Sequence, residues 1–203
     1  MKIISWNLLR RVGATLDDVA NLIACERPDV LLMQEATQMV EHLSARVGGE
    51  CRRVPLPGRI HGPAIWTPTA MHSRPLTFDL PSGTHFDRHS LILDLGAFAI
   101  ANVHLSHGQV LNRRQLRRLG RVLPDRAAVL GDYNLVGPAF LPGFRDVGPR
   151  RATHLMADML PIRLDRCLVR GLVCTEAAVL PRGRSDHRPI MVRLEVSPVA
   201  MGR

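Results

Sequence analysis

The chain has 203 residues, of which 46% are hydrophobic and 22% are charged. These values are typical of a globular protein and exclude a mainly disordered chain, and the length predicts a single domain over residues 1–203. Lys+Arg number 27 against 18 Asp+Glu, a formal net charge of +9, and Lys2 is the only lysine. Guanidinium groups bind phosphate well, so this excess favours an anionic partner, although a GC-rich genome would also enrich arginine.

No segment of the sequence predicts export or membrane insertion. The apolar start of the chain is too short for a signal peptide and is broken at Asn7. The longest apolar stretch, residues 91–103, is interrupted by Asp94 and Asn102. The four cysteines form no CxxC pair, which excludes the common zinc patterns and favours free thiols. We therefore expect a cytoplasmic protein without a membrane span, and the sequence identifies no protein partner.

Short apolar runs alternate along the chain with segments of helical spacing. The runs predict strands at residues 2–6, 29–33, 64–67, 76–80, 90–95, 98–105, 127–130, 163–169, 173–180 and 189–196. Helices are predicted between Thr15 and Pro28, over residues 37–47, and over residues 109–123, where five arginines surround one side. Because some neighbouring strands form hairpins, we expect a four-layer α/β/β/α sandwich, in which two mixed β-sheets pack face to face with flanking helices.

Polar side chains capable of chemistry lie where the apolar runs stop. These residues are Asn7, Glu35, His104, His107, Asp132, Asn134, Asp186 and His187. If the strands are neighbours, their ends bring amide, carboxylate and imidazole groups to one edge of the core. Asn, Glu and Asp offer only oxygen ligands, which suits Mg²⁺ or Mn²⁺ better than zinc.

Six short motifs in order resemble the endonuclease/exonuclease/phosphatase superfamily, which has a DNase I-like fold. They are Ser5-Trp6-Asn7, Met33-Gln34-Glu35, Asn102-Val103-His104-Leu105, Gly131-Asp132-Tyr133-Asn134, Leu164-Asp165-Arg166 and Ser185-Asp186-His187-Arg188-Pro189. The resemblance covers nearly the whole chain, and each motif lies at the end of a predicted strand. It implies a phosphoester hydrolase that binds Mg²⁺, with Mn²⁺ as the alternative cation.

The resemblance also implies a role for each matching residue. Asn7, Glu35 and Asp186 would hold the cation, and Asp132 would orient and deprotonate the attacking water. Asn134 and His104 would contact the phosphate, and His187 would stabilise its charge while Asp165 accepts the other ring N–H. A carboxylate beside a histidine fixes its tautomer and charge, and a cation with an imidazolium stabilises a phosphoryl transition state.

Four further residues are weaker substrate-binding candidates. They are Arg88, His107, Arg114 and Arg118. Arg88 matches a position where the family often carries arginine, and His107 is close to His104 in sequence. The arginines at 114 and 118 could follow a phosphate backbone or form an ordinary solvated helix face. Five of the other histidines, His42, His61, His72, His85 and His154, are assigned to the surface or to packing.

Each site residue has a structural alternative when it is taken singly. Asn7 and Glu35 could be caps, residues 132–134 an ordinary turn, and Asp186 and His187 a loop ion pair. These alternatives would all have to hold at once in family order, so the set favours a functional site. The alternative functions are a small-molecule or lipid phosphodiesterase or phosphatase, and a non-catalytic nucleic-acid-binding relative.

The chain departs from the family in ways that leave the substrate open. It is short, residues 51–88 contain only brief strands, and Arg166 replaces a frequent aromatic residue. No segment matches the loops with which relatives hold DNA or lipid. We expect a phosphodiesterase that acts on nucleic acid, because the net positive charge favours a polyanion.

Overall fold

The computed structural model describes residues 1–9, 13–83, 87–156 and 159–197. The first half contains β1 (Lys2–Asn7), α1 (Leu16–Glu26), β2 (Val30–Ala36), a 3-10 helix (Gln38–His42), α2 (Leu43–Val47), β3 (Glu50–Arg53), β4 (Gly62–Thr67), β5 (Leu76–Leu80) and β6 (Arg88–Asp94). The second half contains β7 (Ala99–His104), α3 (Gln109–Gly120), β8 (Ala127–Asp132), β9 (Arg145–Asp146), β10 (His154–Met156), β11 (Leu160–Ile162), β12 (Asp165–Arg170), β13 (Leu172–Val179) and β14 (Ile190–Val196).

The strands form two six-stranded sheets and one small hairpin. The first sheet has the order β13-β14-β1-β2-β4-β3, and the second has the order β5-β6-β7-β8-β12-β9. Each sheet is mixed, because β1 and β2 are parallel in the first and β7 and β8 are parallel in the second. The hairpin consists of β10 and β11.

Three apolar clusters fill the spaces between the layers of the fold. Ile3 and Leu32 of the first sheet pack with Ile100 and Leu130 of the second, which forms the core between the sheets. On the outer face of the first sheet, Ile4 and Trp6 pack with residues of α1, and on the outer face of the second sheet, Val103 and Val129 pack with residues of α3. The expected four-layer α/β/β/α sandwich is confirmed.

The helix α1 lies between Thr15 and Pro28, as the sequence predicts, and it begins with a capping box. The Thr15 side chain accepts from the backbone N–H of Asp18, whose carboxylate accepts from the Thr15 backbone N–H. This reciprocal pair satisfies two N–H groups that the first turn would otherwise leave unpaired. Two acidic residues in that first turn also stabilise the helix, because their negative charges lie at the positive end of the helix dipole.

Two helix predictions are wrong in their extent. The segment predicted as one helix over residues 37–47 divides into a 3-10 helix and the short α2. Val40 and Leu43 are both fully buried, and their three-residue spacing aligns side chains in a 3-10 turn. The third helix ends at Gly120 rather than at 123, since Val122 is 46% exposed and Pro124 disfavours helical backbone before it.

Candidate functional site

Three predicted site residues lie side by side at one end of the second sheet. His104 is the last residue of β7, Asp132 ends β8, and Asp165 begins β12. The strand register pairs Asp132 with His104 on one side and with Asp165 on the other. All three therefore occupy one row across the sheet, because the ends of the parallel strands β7 and β8 meet the start of the antiparallel strand β12.

Asn7 links this row to the first sheet. Its Nδ2 donates to Asp132 Oδ2 at 3.0 Å, and the backbone N–H of Asn134 donates to Asp132 Oδ1 at 2.9 Å. Asp132 is 1% exposed. Burial raises the pKa of its carboxyl group, while the charge of His187 opposes that increase. The carboxylate is therefore held in a fixed orientation at the junction of the two sheets.

His187 lies between two buried carboxylates. Its Nδ1 is 2.8 Å from Asp165 Oδ2, and its Nε2 is 3.7 Å from Asp132 Oδ2. Burial disfavours the charged ring, but the charges of Asp165 and Asp132 outweigh burial and raise the His187 pKa to about 10. The ring is therefore an imidazolium at neutral pH, with Nε2–H directed towards Asp132.

His104 is kept neutral on the opposite side of Asp132. Its Nε2 is 3.4 Å from Asp132 Oδ2. Burial and the positive charge of Arg88 hold the His104 pKa well below its usual range. Arg88 is buried and its Nη1 donates to the His104 carbonyl at 3.1 Å, whereas His107 is exposed. Arg88 thus fixes the end of β7, and only His107 of this pair faces solvent.

Glu35 and Asn134 both have backbone in the left-handed region. Their φ angles are 52° and 47°, respectively. Glu35 lies in a β-bulge of β2, next to Gln34, the residue paired with Asn7 of β1. Asn tolerates this conformation, but Glu adopts it rarely, and such strain is concentrated at functional sites. The bulge places Glu35 beside the end of β1.

Asp186 lies at the junction of the two sheets and is attached to β1 through Ser185. Ser185 Oγ donates to the Asn7 carbonyl at 2.6 Å and accepts from the His187 backbone N–H at 3.1 Å. The Asp186 side chain is 30% exposed, and its Oδ2 is 3.7 Å from His154 Nδ1. The loop before β14 is therefore anchored directly to the strand that ends in Asn7.

Among the described residues, two groups of three side chains could hold a metal ion. They are Asp132, Asp165 and His187, and His154, Asp186 and His187, with the candidate ligand atoms of each group within 4.8 Å of one another. Asp165 is 0% exposed, and its near oxygen already accepts from His187. Asp186, which is partly exposed, is the more accessible of the carboxylates.

A buried polar contact connects the two sheets near the site, and the sequence analysis did not assign it a role. Gln34 Nε2 donates to Asn102 Oδ1 at 2.7 Å and to Ser5 Oγ at 3.0 Å. Asn102 Nδ2 donates in turn to the carbonyls of Met33 and Ala64, both at 2.9 Å. Gln34 and Asn102 stand within two of the motifs quoted above, so their motif membership was the available signal.

His154, which the sequence pattern assigned to the surface or to packing, lies instead against His187 and Asp186 in the site. Its ring centroid is 4.4 Å from that of His187. Burial and the charge of His187 lower its pKa, which leaves the ring neutral. Of the other histidines assigned to surface or packing, His42 and His72 are exposed, His61 is buried, and His85 is outside the described residues.

The helix α3, which carries exposed arginines, starts close to the site. Gln109 and Asn112, in the first turn of the helix, both donate to the Asn134 carbonyl at 3.0 Å. Arg114 and Arg118 are exposed on the following turns. The structure therefore places these two cations on a surface that adjoins the candidate site but does not bring them into it.

Arg166, the departure from the family pattern, is a buried support of the site. Its Nη2 donates to the Leu135 and Gly137 carbonyls at 3.1 and 2.6 Å, and its Nη1 donates to Asp146 Oδ2 at 3.2 Å. These contacts hold the segment that follows Asn134.

Among the described residues, no helix is long and apolar enough to cross a membrane.

Most of the chain matches one known protein family. Residues 4–187 match the Endonuclease/Exonuclease/phosphatase family. No curated protein sequence matches the chain.

Solved structures share the fold at low sequence identity. A functionally unknown conserved protein from Enterococcus faecalis V583 is 20% identical, with a TM-score of 0.75 and coverage of 97% of this chain and 100% of that chain. A humanized D. rerio TDP2 is 18% identical, with a TM-score of 0.75 and coverage of 97% and 99%. A mannosyl-6-phosphatase from Bacteroides thetaiotaomicron is 17% identical, with a TM-score of 0.71 and coverage of 96% and 99%.

Proposed function

Because the chain belongs to the Endonuclease/Exonuclease/phosphatase family, we propose that it is a divalent-metal-dependent phosphodiesterase that acts on nucleic acid. The observation that carries this proposal is the environment of Asp132. Its buried carboxylate is flanked by Asn7, His104 and His187, and Asp165 lies behind His187. A base, an imidazolium and a neutral imidazole are thus grouped at one edge of the sandwich.

The donor set fits a hard divalent cation. Asn7, Glu35 and Asp186 offer amide and carboxylate oxygens, the ligands that Mg²⁺ and Mn²⁺ prefer. Asn7 Oδ1 accepts one hydrogen bond, from the Leu9 N–H at 3.1 Å, and retains a second lone pair. When bound, the cation would neutralise charge on a phosphate oxygen and act as a Lewis acid.

The protein side chains would carry the proton transfer and the charge stabilisation. Asp132, oriented by Asn7 and by the Asn134 backbone, would take a proton from the attacking water. His187, held protonated by Asp165, would donate its Nε2–H to a phosphoryl oxygen on which negative charge develops. His104 would add a neutral N–H donor, and Asn134 would contact the phosphate.

Charge and position support a nucleic acid substrate. The formal net charge is +9, and the exposed Arg114 and Arg118 follow the turn of α3 that contacts Asn134. Contacts of this kind with successive phosphates supply affinity without base specificity. In this arrangement the scissile phosphate would lie at the strand ends while neighbouring phosphates lie along α3.

One observation favours a second candidate, a small phosphoester. A cavity of about 380 Å³ adjoins Asp186 and is lined in part by His154, Arg182 and Arg188. Its size and its cationic lining suit a compact phosphorylated molecule. The intact acidic and imidazole set favours an enzyme over a non-catalytic relative that only binds nucleic acid.

A hydrolysis panel tests the proposed function. Plasmid DNA, single-stranded DNA, RNA, sphingomyelin and inositol phosphates are incubated with Mg²⁺ or Mn²⁺, and Glu35→Ala serves as the blank. We expect hydrolysis of nucleic acid that chelator abolishes and added cation restores. Signal confined to lipid or inositol substrates would overturn the substrate assignment, and chelator-resistant turnover would overturn the metal assignment.

A further inference from the structure

His154 is directed at the carboxylate to which we assign the cation. Its Nδ1 is 3.7 Å from Asp186 Oδ2, and its side chain is 14% exposed. Backbone hydrogen bonds hold β10 against the Asp186 segment on both sides of this residue, from Leu155 N to the Asp186 carbonyl and from Arg188 N to the Thr153 carbonyl. The close approach of the two side chains is thus built into the strand pairing.

The preceding residue fixes β10 from the other direction. Thr153 is 0% exposed, and its Oγ1 accepts from the backbone N–H groups of Leu164 and Asp165 at 3.1 and 3.0 Å. The strand that carries His154 is thereby connected to the strand that carries Asp165. His154 is held on a rigid support between two elements of the candidate site.

The buried nitrogen of His154 lacks a hydrogen-bond partner within the described part of the chain. Nδ1 has almost no solvent contact and accepts or donates no hydrogen bond there. A separation of 3.7 Å from Asp186 Oδ2 is also too long for a hydrogen bond. Buried polar atoms are satisfied in nearly all folded proteins, so an unpartnered ring nitrogen facing a carboxylate indicates a missing ligand.

A shared divalent cation would satisfy both atoms. Two ligands at about 2.1 Å from one ion lie about 3.0 to 3.4 Å apart, so a small side-chain movement suffices. Imidazole nitrogen binds transition-metal ions in preference to Mg²⁺, which takes oxygen ligands. A nitrogen added to an otherwise oxygen donor set therefore changes which cation the site prefers.

We propose that His154 Nδ1 joins Asp186 as a ligand of the divalent cation, and that this nitrogen makes the site favour Mn²⁺ over Mg²⁺. The inference rests on the proposed function in one respect, namely that Asp186 holds the cation.

Mn²⁺ binding provides the test, because it needs no substrate. Free Mn²⁺ is measured by electron paramagnetic resonance in titrations of the wild type, His154→Phe, His154→Gln and Asp186→Ala. His72→Ala, which removes an exposed histidine, is the matched control. We expect both His154 variants to bind Mn²⁺ at least about tenfold more weakly than wild type. In a competition titration of the wild type, a large excess of Mg²⁺ should be needed to displace bound Mn²⁺, which would show that the site prefers Mn²⁺.

A second measurement on the wild type does not depend on a variant that folds. Pulsed electron paramagnetic resonance should detect ¹⁴N coupling from a directly bound imidazole, and this coupling should disappear in His154→Phe. Equal Mn²⁺ affinity in wild type and His154→Phe, with binding lost in Asp186→Ala, would overturn the proposed ligand and leave the cation site intact. Coupling that persists in His154→Phe would also overturn it. Mn²⁺ binding that survives Asp186→Ala would instead contradict the cation site of the proposed function, and the proposed ligand with it.

Discussion

Replacement of Arg166 by alanine should destabilise the protein much more than replacement of an arginine in an exposed ion pair. The Arg166 guanidinium is buried, 4% exposed, and donates to the Leu135 and Gly137 carbonyls and to Asp146. Hydrogen bonds to a charged group contribute about 1.5–3 kcal/mol each, and a buried pair that loses one partner costs about 3–5 kcal/mol.

The expected loss for Arg166→Ala lies at the lower end of that range. Asp146 keeps a second partner, because Arg163 donates to both of its oxygens at 2.8 and 2.7 Å. We therefore expect the free energy of unfolding to fall by about 3 kcal/mol, which lowers the Tm by about 6–12 °C in a chain of this size.

Urea denaturation measures this difference, with Arg193→Ala as the matched control. Arg193 pairs with Glu176 at 2.7 Å, but both side chains are about half exposed, so its loss should cost less than about 1 kcal/mol. Arg166→Lys should fall between the two, since one ammonium cannot reach all three acceptors. If the unfolding free energies of Arg166→Ala and Arg193→Ala agree within roughly 0.5 kcal/mol, about the measurement error, the buried contacts of Arg166 contribute no more stability than an exposed ion pair.

Three further predictions follow from other parts of the molecule. The double substitution of Arg114 and Arg118 by alanine should weaken DNA binding and reduce the slope of log Kd against log salt concentration by about 2, measured by fluorescence anisotropy. Gly131→Ala should lower the free energy of unfolding by at least about 2 kcal/mol, because its φ is +143° and a Cβ would collide with the Val103 carbonyl. Burial raises the pKa of the Cys51 thiol to about 12, so iodoacetamide at pH 8 should modify it at least about a hundredfold more slowly in the native protein than in urea.

Each of these predictions has its own control or refuting outcome. An unchanged salt slope would show that the arginines of α3 form only a solvated face. The double substitution of the exposed Arg46 and Arg193 by alanine, which also removes two positive charges, serves as the charge-matched control. Gly108→Ala provides the comparison for the glycine, since a Cβ there meets only an ordinary contact with Leu111. Equal alkylation rates of Cys51 in native and unfolded protein would contradict its burial.

The buried strands could be predicted from the sequence because their signal is local. Continuous apolar runs such as residues 127–130 can only be buried between two layers. The polar residues after those runs therefore mark the strand ends, and His104 and Asp132 do end the neighbouring strands β7 and β8. Asp165, predicted inside the strand over residues 163–169, instead begins β12, where it pairs with Asp132. Their chemical roles stay predictions until activity is measured.

Other features depend on contacts between distant segments, and the sequence pattern does not carry them. His154 reaches His187 only because β10 pairs with the loop before β14. The buried Arg166 guanidinium donates to carbonyls of a segment about thirty residues away in sequence. Neither residue has a neighbour in sequence that would indicate its environment, so only the fold reveals them.

The turnover rate of Asp132→Asn shows whether Asp132 is the general base. The substitution keeps the side-chain volume and removes a carboxylate whose pKa burial raises, so the variant should fold and bind uncleaved substrate with a Kd close to that of wild type. If Asp132 is the base, kcat in the presence of Mg²⁺ or Mn²⁺ should fall by about 10² to 10⁴. A kcat within about tenfold of wild type, well short of the contribution expected of a general base, would show that Asp132 is not the base.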